Sequence, residues 1–254
     1  MGTASLFAPT TFGAVQLKNR IVMAPMTRSR ASSLGVPAPF AADYYAQRAS
    51  AGLIVTEATQ ISFEGMGYSR TPGLHTPEQI EAWTRIVEAV HKAGGKIAVQ
   101  LWHVGRIAHP LNRGVAADIV APSAVAAPGT MWTDQSGMQP HPVPRALETG
   151  EIARLAGEFA TAAERAVAIG FDAIELHSAN GYLLHQFLST NVNQRTDRYG
   201  GSIENRVRMP LEVLEAILAK IPADRVGVRV SPGHPFNGIE EADAGALYSH
   251  YYAR

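Results

Sequence analysis

The sequence predicts an α/β fold of the (β/α)8 barrel type, in which helices join parallel strands. Short apolar runs alternate with helical segments five times along the 254 residues. No G-x-G-x-x-G pattern follows the first run, where a doubly wound dinucleotide-binding sheet would carry it. Polar and aromatic side chains come directly after the apolar runs, which is where barrels place their chemistry. A doubly wound sheet is the alternative, and these observations favour the barrel.

Each predicted strand is a short apolar run that precedes a segment with helical spacing. The strands are predicted at residues 21–25, 53–57, 96–103, 171–177 and 225–231. The helices that follow them are predicted at residues 40–50, 77–93, 149–170, 202–218 and 240–254. We therefore expect residues 1–254 to form the N-terminal part of a single barrel domain, with about the first five of its eight units.

Local signals define where two of these helices begin. Thr76, Pro77 and Gln79 form a capping box with proline at the first helical position, and a pair of glycines ends that helix. Ser202 is predicted to cap the fourth helix. Pro210 lies inside the same helix and is expected to kink or restart it, because proline has no backbone N–H.

Residues 104–148 interrupt the alternation after the third predicted strand. The segment is rich in proline, glycine and serine and has no strong hydrophobic periodicity. A loop of this length without structure of its own is uncommon in a compact domain unless it is functional. We predict an insertion that forms a small capping subdomain.

Composition excludes several classes of protein. Lysine plus arginine equals aspartate plus glutamate, 22 against 22, so no basic field indicates nucleic acid or an anionic membrane as a partner. The sequence has no cysteine, which excludes disulfides and thiolate metal sites. Residues 1–11 lack the features of a signal peptide, and no apolar run approaches the ~20 residues that span a bilayer. We expect a cytoplasmic protein.

Residues 171–187 are the most informative segment of the chain. An apolar run ends abruptly in His177, Asn180 and Tyr182. Two hydrogen-bonding side chains beside a phenol can hold a substrate oxygen and transfer a proton. Because parallel strands present their carboxyl ends at one edge, these three residues are predicted to lie in an active site.

The other strand ends add Thr27, Glu57, Gln100, Trp102 and Arg229. The set contains no carboxylate pair suited to glycoside hydrolysis, no H-E-x-x-H and no visible Ser-His-Asp arrangement. Its histidines form no obvious metal cluster, so no metal is expected. A fixed cation, an amide, a hydroxyl and aromatic rings suit a planar organic cofactor better than they suit hydrolysis.

Several longer motifs resemble the Old Yellow Enzyme family of FMN-dependent ene-reductases. The resemblance is strongest to the bacterial branch that contains pentaerythritol tetranitrate reductase and N-ethylmaleimide reductase. The matching segments occur in family order at residues 19–28, 44–54, 57–61, 100–103, 177–188, 193–206 and 228–232. The resemblance implies an FMN cofactor, NADPH as reductant and small activated alkenes or nitro compounds as substrates.

The resemblance also implies which residues would hold the flavin. Gln100 would pair its amide with the pyrimidine edge, and Arg229 would lie near N1 and O2, where negative charge collects on reduction. Thr27 would donate to O4. Three further residues would line the ring through backbone and packing contacts: Pro25, Met26 and Ala58.

On the substrate side, the resemblance assigns His177 and Asn180 to the oxygen of an enone, a maleimide or a nitro group. Hydride from flavin N5 would reach the β-carbon of the alkene. Tyr182 would protonate the α-carbon. Tyr68 and Trp102 would line the substrate face of the site.

The chain departs from the family at its C-terminal end, because five units are predicted where a barrel needs eight. At about 30 residues a unit, roughly 90 residues would be missing, including the loops that bind phosphate in barrels. Three hypotheses stay open. In the first, the chain is part of an FMN-dependent, NADPH-oxidising reductase. In the second, it is an incomplete fragment that needs a second chain with the remaining strands. In the third, it is a flavin-free lyase or isomerase that uses Tyr182 as its acid.

Overall fold

The structure is a computed structural model that describes residues 5–254. Residues 1–4, part of the segment inspected for a signal peptide, lie outside the described residues. The strands are β1 (Thr10–Phe12), β2 (Val15–Leu17), β3 (Val22–Met23), β4 (Leu53–Gln60), β5 (Ile97–Trp102), β6 (Val120–Ala121), β7 (Thr130–Thr133), β8 (Gly137–Pro140), β9 (Arg145–Ala146), β10 (Ala173–His177) and β11 (Val226–Arg229). The helices are α1 (Ala41–Ala46), α2 (Pro77–Lys92), α3 (Thr149–Ala168), α4 (Leu183–Leu188), α5 (Ile203–Arg206), α6 (Arg208–Leu218) and α7 (Ala244–Tyr252).

Five of the strands form one sheet in the order β3-β4-β5-β10-β11. Every neighbouring pair in this sheet is parallel. Helices lie between consecutive strands in the chain, so each connection is a crossover, as parallel pairing requires. The predicted order of five parallel βα units is confirmed.

The main core lies between the sheet and its helices. Side chains of a strand alternate between the two faces, and one set of alternate residues points toward the helices. That set packs with Trp83, Phe159 and Phe171 in one buried cluster, and contains Ile54, Val99, Leu101, Ile174 and Leu176. The apolar surface that these rings bury stabilises the fold at about 25 cal/mol per Å².

The opposite face of the sheet has a smaller apolar cluster near the amino ends of the strands. Val15 and Leu17 come from the β1–β2 hairpin. They pack against residues of the central strands: Leu53, Val55, Ala98 and Ala173. The hairpin therefore covers this end of the inner face, and the carboxyl ends of the strands are left to carry polar groups.

The capping box of α2 is confirmed. The Thr76 hydroxyl accepts a hydrogen bond from the Gln79 N–H, and the Gln79 side chain accepts one from the Thr76 N–H. Pro77 occupies the first helical position. Gly94 follows the helix with φ +75°, a left-handed conformation that glycine adopts without strain.

The fourth predicted helix is two helices. Ser202 caps α5 with its side chain, as predicted, and α6 begins at Arg208. Pro210 is then the third residue of α6, where a backbone N–H has no partner within the helix in any case. The predicted restart is confirmed. Several elements differ in length from the prediction. β4 runs on to Gln60 past a register shift, and β3 is only two residues long. Three others are shorter than predicted: α1, α7 and β11.

Residues 104–148 contain four short strands that the periodicity did not predict. β7 and β8 form an antiparallel hairpin, and β6 pairs in parallel with β9. The buried guanidinium of Arg113 donates to four backbone carbonyls, those of Glu64, Met66, Ala117 and Asp118. Polar bonds to the backbone organise this segment in place of a hydrophobic repeat. Between Ser5 and Arg254, the structure has no helix that is long and apolar enough to cross a membrane.

The cap of α2 gives a stability prediction. Thr76→Ala leaves the Gln79 N–H at the start of the helix without its acceptor, and we expect the free energy of unfolding to fall by about 1 kcal/mol. Equilibrium unfolding in urea measures this difference. Thr161→Ala is the matched control, because Thr161 lies in the middle of α3 and is exposed, and it should change stability by no more than about 0.5 kcal/mol. Equal losses in the two variants would contradict the assigned cap.

Candidate active site

Side chains from several strand ends converge in one cavity at the carboxyl edge of the sheet. Its lining contains most of the residues that the sequence singled out: Pro25, Thr27, Ala58, Gln100, Trp102, His177, Asn180, Tyr182 and Arg229. Tyr68 joins this group by stacking on Trp102. The sheet thus brings together residues that are far apart in the chain, such as Pro25 and Arg229.

Strand register explains why the polar side chains meet. Glu175 lies opposite Gln100 in the β5–β10 pair, and Arg229 lies opposite His177 in the β10–β11 pair. All four are on the inner face of the sheet, the face away from the helices. Three of them lie an even number of residues from Ala98 or Ala173, which face inward. The fourth, Arg229, pairs with His177. The Gln100 side chain donates to a Glu175 carboxylate oxygen, with Nε2 and Oε1 2.6 Å apart.

The guanidinium of Arg229 is not committed to any described partner. Among residues 5–254 it makes no hydrogen bond or salt bridge, although Glu175 and His177 lie within electrostatic range. Arginine rarely stays unpaired when it is half-buried, because desolvating a charge is costly. A cation of this kind at a cavity wall fits an electron-rich ligand.

A tight turn after β10 positions the His177, Asn180 and Tyr182 group. Asn180 has φ +55°, a left-handed conformation that asparagine tolerates better than most residues. Its N–H donates to the Ser231 hydroxyl at 2.9 Å, and its carbonyl accepts from the Asn237 side chain at 2.8 Å. The turn is therefore held from the loop that follows β11.

Aromatic rings form one wall of the cavity. Trp102 stacks on His177 with ring centroids 6.4 Å apart, and Tyr182 packs edge-on against Trp102 at 4.8 Å. Tyr68 stacks on the same tryptophan, and its hydroxyl lies 3.3 Å from the Tyr182 hydroxyl. The wall orients the Tyr182 hydroxyl next to a second phenol that can exchange a hydrogen bond with it.

Burial sets the protonation states of the two central groups. It lowers the pKa of His177 to about 3, with the positive charge of Arg229 and the neighbouring His185 adding to the effect. The pKa of Tyr182 is raised well above its usual range by burial, and then by Tyr68. At neutral pH the site therefore has a neutral imidazole and a protonated phenol, both able to donate a hydrogen bond.

One ring nitrogen of His177 is unpaired among the described residues. Its Nδ1 is buried and has no hydrogen-bond partner among the described residues. Buried polar atoms are nearly always paired in native proteins, and those that are not commonly lie at functional sites. The ring is held by packing between Trp102 and Tyr182.

Thr27 is placed by a buried carboxylate on the next strand. The Arg28 N–H donates to Glu57 Oε2 at 3.0 Å, and the Tyr45 hydroxyl lies 3.4 Å from the other carboxylate oxygen. Burial raises the pKa of Glu57 above its ordinary value. The segment from Pro25 to Arg28 is thereby tied to β4.

Met26 is the one predicted site residue whose side chain lies elsewhere. It is largely exposed and lines a separate, more apolar cleft beside β3, together with Met23 and Phe7. Consecutive residues of an extended segment point in opposite directions, so Met26 faces away when Pro25 and Thr27 face the cavity. Only its backbone can contribute to the site.

Sequence reasoning missed three residues that shape the cavity: Arg106, Glu175 and Asn237. Arg106 donates to the carbonyls of residues 125, 126, 237 and 238, which fixes the loop that carries Asn237. Glu175 could have been found, because it is a charged residue inside an apolar strand two positions before His177. The described residues contain no cluster of histidine, aspartate and glutamate that could hold a metal ion.

Comparison with known proteins assigns the chain to a family. Residues 5–251 match the NADH:flavin oxidoreductase / NADH oxidase family. The chain belongs to this family. The resemblance to Old Yellow Enzymes is confirmed by solved structures, which include an Old Yellow Enzyme homologue from Zymomonas mobilis, with 46% identity and a TM-score of 0.93. Morphinone reductase in complex with tetrahydroNAD has 46% identity and a TM-score of 0.92.

Curated relatives include two reductases from different organisms. The chain is 44% identical over 246 residues to a "Probable flavin mononucleotide-dependent alkene reductase" of Leishmania infantum. It is also 44% identical over 247 residues to 12-oxophytodienoate reductase 1 of Oryza sativa subsp. japonica. These matches cover 95% and 96% of this chain but 67% and 63% of the relatives. Both solved structures are covered to 69%, against 97% of this chain, so the chain spans about two thirds of its relatives' length.

The cavity fits the flavin that this family's name implies. The pyrimidine edge of a flavin presents carbonyl oxygens and an N–H, and the Gln100 amide offers both an acceptor and a donor. The uncommitted guanidinium of Arg229 suits the part of the ring that gains electron density on reduction. Thr27 contributes a hydroxyl to the same cavity.

The depressed pKa of His177 leads to a prediction for NMR. The ring ¹H and ¹⁵N signals of His177 should not titrate between pH 5 and 8, because the imidazole is already neutral above about pH 3. Arg229→Gln removes one of the groups that lower this pKa, so the pKa should rise but stay below the ordinary value, since burial is the larger cause. A midpoint near the ordinary value in the unmodified chain would contradict the assigned burial.

Proposed function

We propose that this chain is the N-terminal part of a single (β/α)8 domain in an FMN-dependent oxidoreductase that uses NADPH. Its substrates would be activated alkenes such as enones and maleimides, with nitro compounds and nitrate esters as further candidates. One observation carries the proposal. The Gln100 amide, the unpaired Arg229 guanidinium and the neutral donors His177 and Tyr182 line the same cavity. A relative described as a probable alkene reductase supports it.

FMN would be held by residues on or just after four strands: β3, β4, β5 and β11. Gln100 would bind the pyrimidine edge, Arg229 would stabilise charge near N1 and O2, and Thr27 would donate to O4. Pro25, Ala58 and the backbone of Met26 would pack along the ring. Bound FMN would supply the redox chemistry, the transfer of hydride from NADPH to the β-carbon of the alkene.

His177 and Asn180 would bind the substrate oxygen. A carbonyl or nitro oxygen accepts hydrogen bonds from both side chains, and these bonds strengthen as negative charge develops on the oxygen. Nδ1 of His177 is buried, so Nε2 is the nitrogen that would face the substrate. A neutral imidazole can donate from Nε2 without bringing a full charge into the cavity.

Tyr182 would protonate the α-carbon. Its raised pKa keeps the phenol protonated before the reaction, and general acids contribute about 10²–10⁴-fold to rates. Loss of the proton leaves a phenolate, with the Tyr68 hydroxyl 3.3 Å from its oxygen. Trp102 would lie under both phenols and the substrate.

A second candidate function rests on the edges of the sheet. β3 and β11 each pair with one strand within the described chain, and a closed barrel leaves no such edges. The chain would then be an incomplete part, inactive alone, that binds FMN only with a complementing chain that carries the remaining strands. Family membership favours both of these flavin hypotheses over a flavin-free lyase or isomerase.

The visible spectrum of the purified chain separates the candidates. Bound flavin that is bleached under anaerobic conditions by NADPH, and regains its colour with an enone, supports the first function. NADH is compared at equal concentration, since the family description names NADH. Protein that turns yellow only after addition of the segment corresponding to the last third of its relatives supports the second. Colourless protein under both conditions would overturn both.

Mutation of the proposed acid should separate the two half-reactions. In the flavin-loaded protein, Tyr182→Phe should slow oxidation of the reduced enzyme by an enone by about 100-fold or more, because the proton donor is lost. Reduction by NADPH should change little. Stopped-flow spectroscopy measures each half-reaction separately. Tyr252→Phe, on an exposed tyrosine of α7, is the control and should match the unmodified protein. Equal slowing of both half-reactions would remove Tyr182 as the specific proton donor.

A further inference from the structure

Glu175 has no role in the mechanism above, although it lies directly beside the proposed flavin-binding residues. It is the charged residue in the middle of β10, on the inner face of the sheet. Its neighbours along the strand, Ile174 and Leu176, point into the core on the other face. A carboxylate that is partly buried in a strand interior is costly unless it is hydrogen-bonded. Its main hydrogen-bond partner is Gln100.

The bond to Glu175 fixes which way the Gln100 amide points. An ionised carboxylate only accepts hydrogen bonds, so the NH₂ end of the amide must face it, as the 2.6 Å contact between Nε2 and Oε1 shows. Rotating the amide by half a turn would place its carbonyl oxygen against the carboxylate, which is repulsive. The carbonyl oxygen and the second N–H of Gln100 are thus left for a ligand.

Glu175 also reduces the net positive charge that the strand ends around Arg229 would present to the flavin. Arg229 is the positive group within electrostatic range of this carboxylate, and no described side chain pairs with it directly. The two charges therefore offset one another in part without forming an ion pair. Because reduction adds negative charge to a flavin, a nearby carboxylate should make reduction harder, and the cation should make it easier.

We propose that Glu175 is a positioning residue that orients the Gln100 amide and moderates the field of Arg229. The orientation of the Gln100 amide does not depend on a bound cofactor. The effect on the field of Arg229 rests on the proposed function, since it acts on the reduction potential of bound FMN. In this arrangement the side chains of β5, β10 and β11 determine both how the flavin edge is bound and how readily the flavin accepts electrons.

The orientation of the amide is tested without any flavin. In chain with ¹⁵N-labelled glutamine, one Nε2 proton of Gln100 should be shifted downfield and exchange slowly, as expected for a hydrogen bond to a carboxylate. Glu175→Gln should weaken both signatures, because a neutral amide oxygen is a weaker acceptor than a carboxylate. Glu88→Gln makes the same charge change at an exposed position of α2 and should leave them intact. Gln100 signals that are identical in all three proteins would overturn this part of the proposal.

The effect on the field is tested by the midpoint potential of FMN in the loaded protein. Glu175→Gln should raise the potential, so that reduced FMN gains affinity relative to oxidised FMN by up to about tenfold, or ~30 mV for a two-electron couple. Glu88→Gln should leave the potential unchanged. Glu175→Asp keeps the charge but shortens the side chain, so it should lose the Gln100 signature while it retains a potential near that of the unmodified protein.

Failure of the proposed effect of Glu175 on the flavin potential can be distinguished from failure of the proposed function. A potential that does not move in Glu175→Gln, in protein that binds FMN, would overturn the proposed effect on the field alone. An unmodified chain that binds no FMN in a titration, with or without the complementing segment, would overturn the proposed function and the redox half of this inference with it. The spectra of Gln100 still decide the orientation half in that case, because they need no cofactor.

Discussion

The parallel pairing of β5, β10 and β11 is the constraint on which the site depends. Register sets Ala98 beside Ala173, and two residues later it sets Gln100 beside Glu175. A slip of one residue in either pair would turn the polar side chains toward the helices and the apolar ones toward the cavity. The buried cluster between sheet and helices makes such a slip costly, so the hydrophobic core and the polar site specify the same register.

A second set of contacts holds the loops above the strand ends. His185 accepts from the Gly181 N–H with Nδ1, so its proton is on Nε2, which donates to Glu241 at 3.0 Å. Burial raises the pKa of Glu241, but hydrogen bonds from His185, the Gly233 N–H and the Tyr248 hydroxyl outweigh it and the pKa is lowered. This buried pair ties α4 to the loop after β11. The turn that carries the proposed substrate-binding residues is therefore braced from a different part of the chain.

Sequence reasoning predicted the features that local patterns encode. The five strands, the capping box at Thr76 and the polar group after residue 176 follow from periodicity and from short motifs. Three other residues were not predicted, because their partners are distant in the chain. Glu175 bonds to Gln100, 75 positions away. Arg106 and Asn237 bond to residues in other loops. The short strands within residues 104–148 were missed for a similar reason, since Arg113 organises that segment through backbone carbonyls.

We propose that Gln100, Arg229 and Thr27 bind the flavin edge at the strand ends, and the affinity of the protein for FMN reports on these contacts. Quenching of FMN fluorescence measures the dissociation constant for the unmodified protein, for Gln100→Leu and for Gln135→Leu, a control at an exposed position. Gln100→Leu should weaken binding by tenfold or more, equivalent to about 1.4 kcal/mol, while Gln135→Leu binds normally. Equal affinity of Gln100→Leu and the unmodified protein would show that Gln100 does not bind the flavin edge.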